Sequence, residues 1–210
     1  MRPPFLDRRA AGLQLAKLLS PQAGTMVLGV ARGGALCAAA VAETHALPLD
    51  IIVVRKIGHP MQPELALGAV SSYGEAVTTE HAGGLSPHLF QSLIARSRRE
   101  ALSLETRLRG DEPALPVDGK PVIVVDDGIA TSATMMCALH ALRNRGATSI
   151  TCAVPVAPTD SLAYLRAQYD RVRVLIEAPD IPFAVGQYYF LFGEVPDARV
   201  REELARFRNS

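Results

Sequence analysis

The sequence predicts an α/β fold, in which a mostly parallel, twisted sheet carries helices on both faces. Strand-like and helix-like segments alternate along the chain, and several strand-like runs are apolar at every position. Such continuous runs are typical of strands that are buried on both faces, as in parallel sheets. The chain has 210 residues, 49% of them hydrophobic, which suffices for one large domain with a sizeable core.

Apolar periodicity predicts most of the elements in order. An amphipathic helix covers the region from Leu6 to Leu18, and a helix rich in small residues runs to Ala42. Two later helices are expected over 132–146 and 158–169, and a short helix closes the chain. The predicted parallel strands are 25–30, 49–56, 121–125, 149–156 and 171–177.

The middle of the chain departs from this alternation. The segment 57–64, which reads IGHPMQPE, holds a glycine and two prolines and is predicted to be a loop. A hairpin around Gly74 follows, and then the longest predicted helix, over 86–109. We therefore expect a single domain over the whole chain, with a flexible loop and a small insertion within about 58–115.

Composition excludes several classes of protein. The formal net charge is +1, which argues against a general nucleic-acid coat, because that function needs a clustered cationic face. No apolar stretch is long enough to span a bilayer, and the N-terminus does not resemble a secretory signal. Cys37, Cys137 and Cys152 have no metal-ligand spacing and are expected to be buried free thiols. We therefore expect a cytoplasmic protein.

Three unusual turns, at 31–34, 55–60 and 126–134, each follow a predicted strand. They should gather at one edge of the sheet, where such folds bind ligands. In the third turn, Asp126 and Asp127 end a buried strand, so the pair needs a partner, an open cleft or a task. The alternative is that the two aspartates only form a turn and cap the next helix.

The residues that follow the two aspartates are small or carry hydroxyls, which allows backbone amides at a helix start to approach a phosphate. Other phosphate motifs are missing, because the chain contains neither Gly-x-x-x-x-Gly-Lys-[Ser/Thr] nor Gly-x-Gly-x-x-Gly. The five histidines show no metal-ligand spacing, and no catalytic triad has support from the sequence.

These strings together resemble a known family. VIVVDDGIATSAT resembles the phosphoribosyl pyrophosphate (PRPP) signature of type I phosphoribosyltransferases. LGVARGGA is similar to the short pyrophosphate loop of that family, and VVRKIGHP to the basic strand end of its adenine-type members. The resemblance covers about three quarters of the chain, and it is most specific to a bacterial subgroup of predicted phosphoribosyltransferases. It implies the fold of that family, with a small hood.

The resemblance also implies a role for each turn. Asp126 and Asp127 would hold the ribose hydroxyls and help to place Mg²⁺, and together with Arg32 and Lys56 they would be the catalytic residues. The residues that would bind the 5′-phosphate are Ala130, Thr131, Ser132, Ala133 and Thr134. The residues that would bind pyrophosphate are Ala31, Arg32, Gly33, Gly34, Arg55 and Lys56. The peptide bond between Ala31 and Arg32 is the position where the family often has a cis bond.

One residue departs from the family pattern, because Ser132 stands where the family usually has glycine. The serine would be harmless if this position has helical backbone angles. For Arg32, Arg55 and Lys56 the alternative is an ordinary solvated surface. The aromatic cluster over 182–190 either packs over the sheet or offers Phe183, Tyr188 or Tyr189 for stacking on a nucleobase.

The implied activity is Mg²⁺-dependent transfer of the phosphoribosyl group from PRPP to a nitrogen acceptor, such as a nucleobase, with release of pyrophosphate. The expected partners are therefore PRPP and a small nitrogenous acceptor, with no nucleic acid and no membrane, and a homodimer is expected by resemblance. Two alternatives remain open: a non-catalytic regulator of the same fold that binds PRPP or a nucleotide, and a phosphate-binding interaction module.

Overall fold

The computed structural model describes residues 3–179 and 183–208, except for the side chains at 63, 64 and 80. Within this part, helices lie on both faces of a seven-stranded sheet. The strands are β1 (Met26–Ala31), β2 (Leu49–His59), β3 (Gln62–Ser71), β4 (Ala76–Thr78), β5 (Pro121–Val125), β6 (Ser149–Pro158) and β7 (Arg171–Ala178). The helices are α1 (Arg8–Ala16), α2 (Gly33–His45), α3 (Pro87–Arg109), α4 (Ala133–Asn144), α5 (Thr159–Gln168) and α6 (Asp197–Arg208).

The sheet has the order β4-β3-β2-β1-β5-β6-β7. The strands β2, β1, β5, β6 and β7 run parallel, and β3 and β4 extend the β2 edge in antiparallel pairing. The chain moves from β1 outward to β2 on one side and later returns to place β5 on the other side of β1. Crevices at such switch points are where open α/β sheets bind ligands, at the carboxyl ends of the strands. The predicted fold class is confirmed.

Two apolar layers hold the helices to the sheet. Helices α1, α2, α3 and α6 pack on one face, and α4 and α5 pack on the other. Because neighbouring residues of a strand point to opposite faces, each parallel strand supplies both layers. In β2, for example, Ile51 and Val53 belong to the first layer and Ile52 and Val54 to the second. This double burial explains why the strands are apolar without alternation.

The prediction of a loop over 57–64 is wrong. Strand β2 continues to His59, β3 begins at Gln62, and the two strands form a hairpin with paired residues up to this turn. The pairing register shifts on both sides of Gly58, so the ladder is irregular there. Prolines are tolerated in turns and next to such irregularities, because no regular ladder bond is lost. The expected hairpin around Gly74 is confirmed by the pairing of β3 with β4.

Helix α3 was predicted with nearly the observed bounds. Ser86 caps its start by accepting a hydrogen bond from the Leu89 amide at 3.3 Å. The far end is fixed by a buried ion pair between Arg109 and Asp50, which connects α3 to the beginning of β2. Arg109 also donates to the Ile51 carbonyl at 2.7 Å. The helix therefore runs along β2 on the face of the sheet opposite α4.

Two predictions from composition can be compared with the structure. All three cysteines are buried free thiols, as expected, and burial raises the pKa of Cys137 to about 12. Within residues 3–179 and 183–208, no helix is both long and apolar enough to cross a membrane.

Candidate active site

The turns that follow β1 and β5 meet at the switch point of the sheet. A Cβ atom on Gly33 would overlap Oδ2 of Asp127, and one on Gly34 would come within 2.6 Å of the Val125 carbonyl oxygen. Only glycine allows the two turns to approach this closely. The peptide bond between Ala31 and Arg32 is cis, as the resemblance predicted.

The turn after Asp127 leads into an uncapped helix. Ser132 stands at the N-cap of α4 without a side-chain capping bond, and its angles of φ −69° and ψ −15° are right-handed helical. Serine therefore fits without backbone strain at this position, where the family it resembles usually has glycine. Among the described residues, the amides of Thr131, Ser132, Ala133 and Thr134 have no protein acceptor. Amides of this kind at a helix N-terminus attract anions.

Thr131 and Thr134 of this turn line a cavity of about 690 Å³. The cavity is lined by residues from the turn before α4, from the β2–β3 hairpin, from a 3-10 turn over Glu80–Gly84 and from a second 3-10 turn over Val185–Tyr188. The lining residues are Lys56, Leu65, Ala66, Thr79, His81, Gly128, Ala130, Thr131, Thr134 and Val185. A Cβ on Gly128 would overlap Val185. This glycine therefore lets the Val185–Tyr188 turn pack closely against the turn that follows β5. The volume lies in the range of small-molecule sites.

The acidic pair lies between the glycine turn and α1. Asp126 Oδ1 accepts a hydrogen bond from the Asp127 amide at 2.8 Å, and Asp127 Oδ2 accepts one from Arg8 Nε at 2.6 Å. Burial, followed by the neighbouring charge of Asp127, raises the pKa of Asp126 well above its ordinary value. Within the described residues, Asp126 Oδ2 and Asp127 Oδ1 accept no hydrogen bond from another residue, but neither aspartate is among the residues that line the cavity.

Arg8 contacts the acidic pair, although it was not predicted as a site residue. The Arg8 guanidinium lies 4.0 Å from the centroid of the Phe192 ring and donates to the Gly193 carbonyl at 2.9 Å. Phe192 stacks on Tyr189, whose hydroxyl donates to the main-chain carbonyl of Asp127 at 2.5 Å. No local pattern could have revealed this group, because its members come from opposite ends of the chain.

The predicted basic residues go to different places. Arg32 is held by two carboxylates, with Nη1 at 2.9 Å from Glu194 Oε1 and Nε at 2.8 Å from Asp197 Oδ1. Lys56 lines the cavity described above. Arg55 lies on the opposite face of β2, beneath α3, because adjacent strand residues alternate in direction. The structure therefore brings Lys56 towards the amides of α4, and it does not bring Arg55 there.

The residues of the aromatic cluster over 182–190 also lie in different environments. Tyr189 is buried between Phe5 and Phe192, with ring centroids at 5.3 and 4.9 Å, so for this residue the packing interpretation holds. Phe183 and Tyr188 form a separate pair at 5.6 Å and stay partly exposed on either side of Val185. Pro182, the first residue of the predicted cluster, lies outside the described residues.

A divalent cation would find few protein ligands here. Among the described residues, no group of three or more histidine, cysteine, aspartate or glutamate side chains could hold a metal ion. The two free carboxylate oxygens at Asp126 and Asp127 nevertheless suit Mg²⁺. This ion commonly binds one or two carboxylates and takes its other ligands from substrate phosphates and water.

A glycine turn, an uncapped helix and an acidic pair meet at the switch point of the sheet, which defines an α/β protein with a candidate site at the carboxyl ends of its parallel strands. Comparison with known families agrees, since the model of the phosphoribosyl transferase domain matches residues 10–192. The chain belongs to the phosphoribosyl transferase family.

The similar proteins support the same conclusion. Two proteins of Mycobacterium tuberculosis, from strains CDC 1551 and H37Rv, are each 38% identical over 201 residues, which is 93% of this chain. Their names are "Putative phosphoribosyl transferase MT0597" and "Putative phosphoribosyl transferase Rv0571c". The chain spans 45% of the length of each of these relatives. The crystal structure of TT1426 from Thermus thermophilus is 38% identical, covers 99% of both chains and superposes with a TM-score of 0.81.

Proposed function

We propose that the chain transfers the phosphoribosyl group of PRPP to a nitrogen acceptor and releases pyrophosphate. One observation carries the proposal: within the described residues the amides of Thr131 to Thr134 have no protein acceptor, and Thr131 and Thr134 line the cavity that Lys56 also lines. The acidic pair and the glycine turn lie directly beside this helix start. A phosphate, a sugar and a second anionic group could thus be held side by side.

The 5′-phosphate would bind at the start of α4. The amides and the hydroxyls of Thr131, Ser132 and Thr134 offer donors, and the helix dipole favours negative charge there. The free oxygens of Asp126 and Asp127 would accept hydrogen bonds from the ribose hydroxyls. Because these groups are fixed by the fold before the substrate arrives, the ribose can be oriented at little entropic cost.

In the reaction, the bond between ribose C1 and the pyrophosphate oxygen breaks, and its electron pair leaves with pyrophosphate. The acceptor nitrogen supplies the electron pair of the new bond to C1, and a hydrogen on that nitrogen leaves as a proton to water or to the departing pyrophosphate. The protein therefore mainly needs to stabilise the charge that develops on the leaving group. Lys56 and Arg32 would provide positive charge, and the amides of the glycine turn would add donors.

Arg32 would have to leave its present partners to contact pyrophosphate. Its partner Glu194 is 85% exposed, so that ion pair is open to water, whereas the contact between Arg32 Nε and Asp197 Oδ1 is buried from solvent. An exposed ion pair contributes little to stability, so the contact with Glu194 can be exchanged for one with a more highly charged ligand. The ion pairs observed here hold the arginine near the glycine turn until a ligand is present.

We propose Mg²⁺ as the cofactor, held by the free oxygens of Asp126 and Asp127 together with oxygens of the substrate. When bound, the ion would neutralise charge on pyrophosphate as it leaves. Asp126 and Asp127 would also hold the ribose. Because the pKa of Asp126 is raised, this carboxylate loses its charge at a higher pH than an ordinary aspartate does.

The acceptor would enter beside Val185, between the cavity and the exposed Phe183–Tyr188 pair. A flat nitrogenous ring is suited to stacking on aromatic side chains, and we therefore propose a nucleobase as the acceptor. The homodimer and the cytoplasmic location stay predictions.

The test is release of pyrophosphate from PRPP and Mg²⁺ in the presence of a panel of purine, pyrimidine and other amine acceptors. Binding of PRPP is measured in parallel by calorimetry. Asp127→Asn should weaken PRPP binding at least about tenfold, because it removes a charged acceptor. Asp111→Asn, at an exposed position away from the site, is the matched control.

If PRPP binds but no acceptor in the panel leads to release of pyrophosphate, the result would support a non-catalytic regulator instead. Unchanged PRPP affinity of Asp127→Asn would contradict the role of the acidic pair. Absence of PRPP binding by the wild-type chain would refute the proposed function.

A further inference from the structure

A second polar cavity, of about 370 Å³, lies along an exposed side of α3, on the opposite face of β2 from the candidate active site. Four of its lining residues are arginines, and the only acidic one is a glutamate. The lining residues are Arg55, Arg96, Arg99, Glu100, Ser103 and Arg107. Five of these belong to α3 at spacings of three and four residues, which places them along one side of the helix. The two cavities have no lining residue in common.

The charges in this cavity are not balanced. Glu100 forms an ion pair with Arg96, with 3.0 Å between Glu100 Oε1 and Arg96 Nε. Arg107 contacts a carboxylate outside the cavity, with its Nε at 3.0 Å from Asp197 Oδ2. Across residues 3–179 and 183–208, neither Arg55 nor Arg99 forms an ion pair with a described side chain. Two guanidinium groups therefore share this cavity without a counter-charge.

Arg55 provides a second, independent observation. Its Nε atom is buried from solvent and has no acceptor in the part of the chain that the structure describes. A buried donor without an acceptor is unfavourable by about 1–3 kcal/mol, and more for a charged group. Such a group in a native fold is explained if an anion completes it. Arg55 is also the one predicted pyrophosphate ligand that the structure places away from the proposed PRPP site.

We propose that this cavity is a second anion site, which binds a ligand that carries two or more linked phosphate groups. Guanidinium groups bind phosphate oxygens in pairs of parallel hydrogen bonds. Several arginines around one cavity suit an extended polyanion better than a single carboxylate, because each phosphate can engage a different guanidinium. The proposal is independent of catalysis at the other cavity.

The test uses inorganic tripolyphosphate, which carries no ribose or base, titrated into the whole chain by calorimetry. Because this anion could also enter the proposed PRPP site, every titration is repeated in the Arg32→Gln/Lys56→Gln background. That background should retain binding at the α3 cavity. Adding Arg96→Gln/Arg99→Gln should weaken the remaining binding at least about tenfold. Binding should also weaken as salt rises.

The matched control is Arg171→Gln/Arg173→Gln, which removes two exposed arginines of β7 at the other end of the molecule. The proposal is overturned if Arg96→Gln/Arg99→Gln binds tripolyphosphate as tightly as this control. It is also overturned if the α3 variant changes the sedimentation of the chain while anion binding is unaltered, because the arginines would then form a subunit interface. Failure of the transferase assay would leave the expected tripolyphosphate result unchanged, so the two proposals can fail separately.

Discussion

Arg8 Nε lies 2.6 Å from Oδ2 of Asp127, although the two residues are 119 positions apart in the chain. The first helix thereby holds one of the two acidic side chains at the switch point. The Tyr189 hydroxyl holds the main-chain carbonyl of the same aspartate at 2.5 Å. Both contacts are well shielded, since the Arg8 and Asp127 side chains are only 11% and 16% exposed. The two ends of the chain therefore fix the orientation of Asp127.

Arg8→Gln should weaken PRPP binding roughly tenfold, because Asp127 would lose the partner that orients it. The Arg8 charge also lowers the pKa of Asp126. Its removal should shift the acidic limb of the activity profile to higher pH. Arg9→Gln is the matched control, since the neighbouring Arg9 pairs at 2.7 Å with the exposed Glu43 and not with the site. Equal affinities and pH profiles for the two variants would contradict a positioning role for Arg8.

Asp126→Asn should stabilise the fold while weakening PRPP binding. Burial and the adjacent Asp127 disfavour the charged form of Asp126, and asparagine removes that charge while keeping an acceptor for the Asp127 amide. We expect a gain of about 1 kcal/mol in the free energy of unfolding at neutral pH. The gain should shrink as the pH falls through the raised pKa of Asp126, because the wild-type carboxyl is then also neutral.

Urea denaturation of Asp126→Asn, at neutral and mildly acidic pH, measures this difference. Asp111→Asn should show no gain at either pH. A destabilised Asp126→Asn variant would mean that the charge of Asp126 is compensated in the native state.

Asp197→Asn should improve PRPP binding by about two- to fivefold, as expected for the loss of one charge that competes for Arg32. Asp197 contacts both Arg32 and Arg107, so its charge would compete with the proposed pyrophosphate ligand for Arg32. The Michaelis constant for PRPP provides the measurement. Glu202→Gln, which removes the partner of Arg199 on the same helix, serves as the control. A higher Michaelis constant in Asp197→Asn than in the control would show that Asp197 positions Arg32 for use.

Ser132→Gly should leave PRPP affinity within about twofold of wild type while lowering stability by about 0.5–1 kcal/mol. The backbone at Ser132 is already right-handed helical, so glycine relieves no strain and only adds freedom to the unfolded chain. Calorimetric titration and thermal unfolding measure the two effects. A large gain in PRPP affinity would show that the Ser132 side chain obstructs the phosphate position.

Most of the fold could be predicted because buried parallel strands and capped helices leave local signals. The run over 121–125 and the cap at Ser86 are examples, and the structure has β5 and the start of α3 at these places. The hairpin at 57–64 was missed because its prolines are typical of a loop. Pairing between β2 and β3, which is a tertiary contact, decided otherwise.

The sequence predicts the α/β class, the order of the elements, the positions of the three turns and the family resemblance, because each depends on residues close together in the chain. The contacts between distant groups depend instead on how the elements pack in three dimensions. This packing placed Arg8 on Asp127 and Arg32 on Asp197, and it sent Lys56 and Arg55 to opposite faces of one strand. The physical reason is that ion pairs and cavities form between elements whose packing no local pattern records.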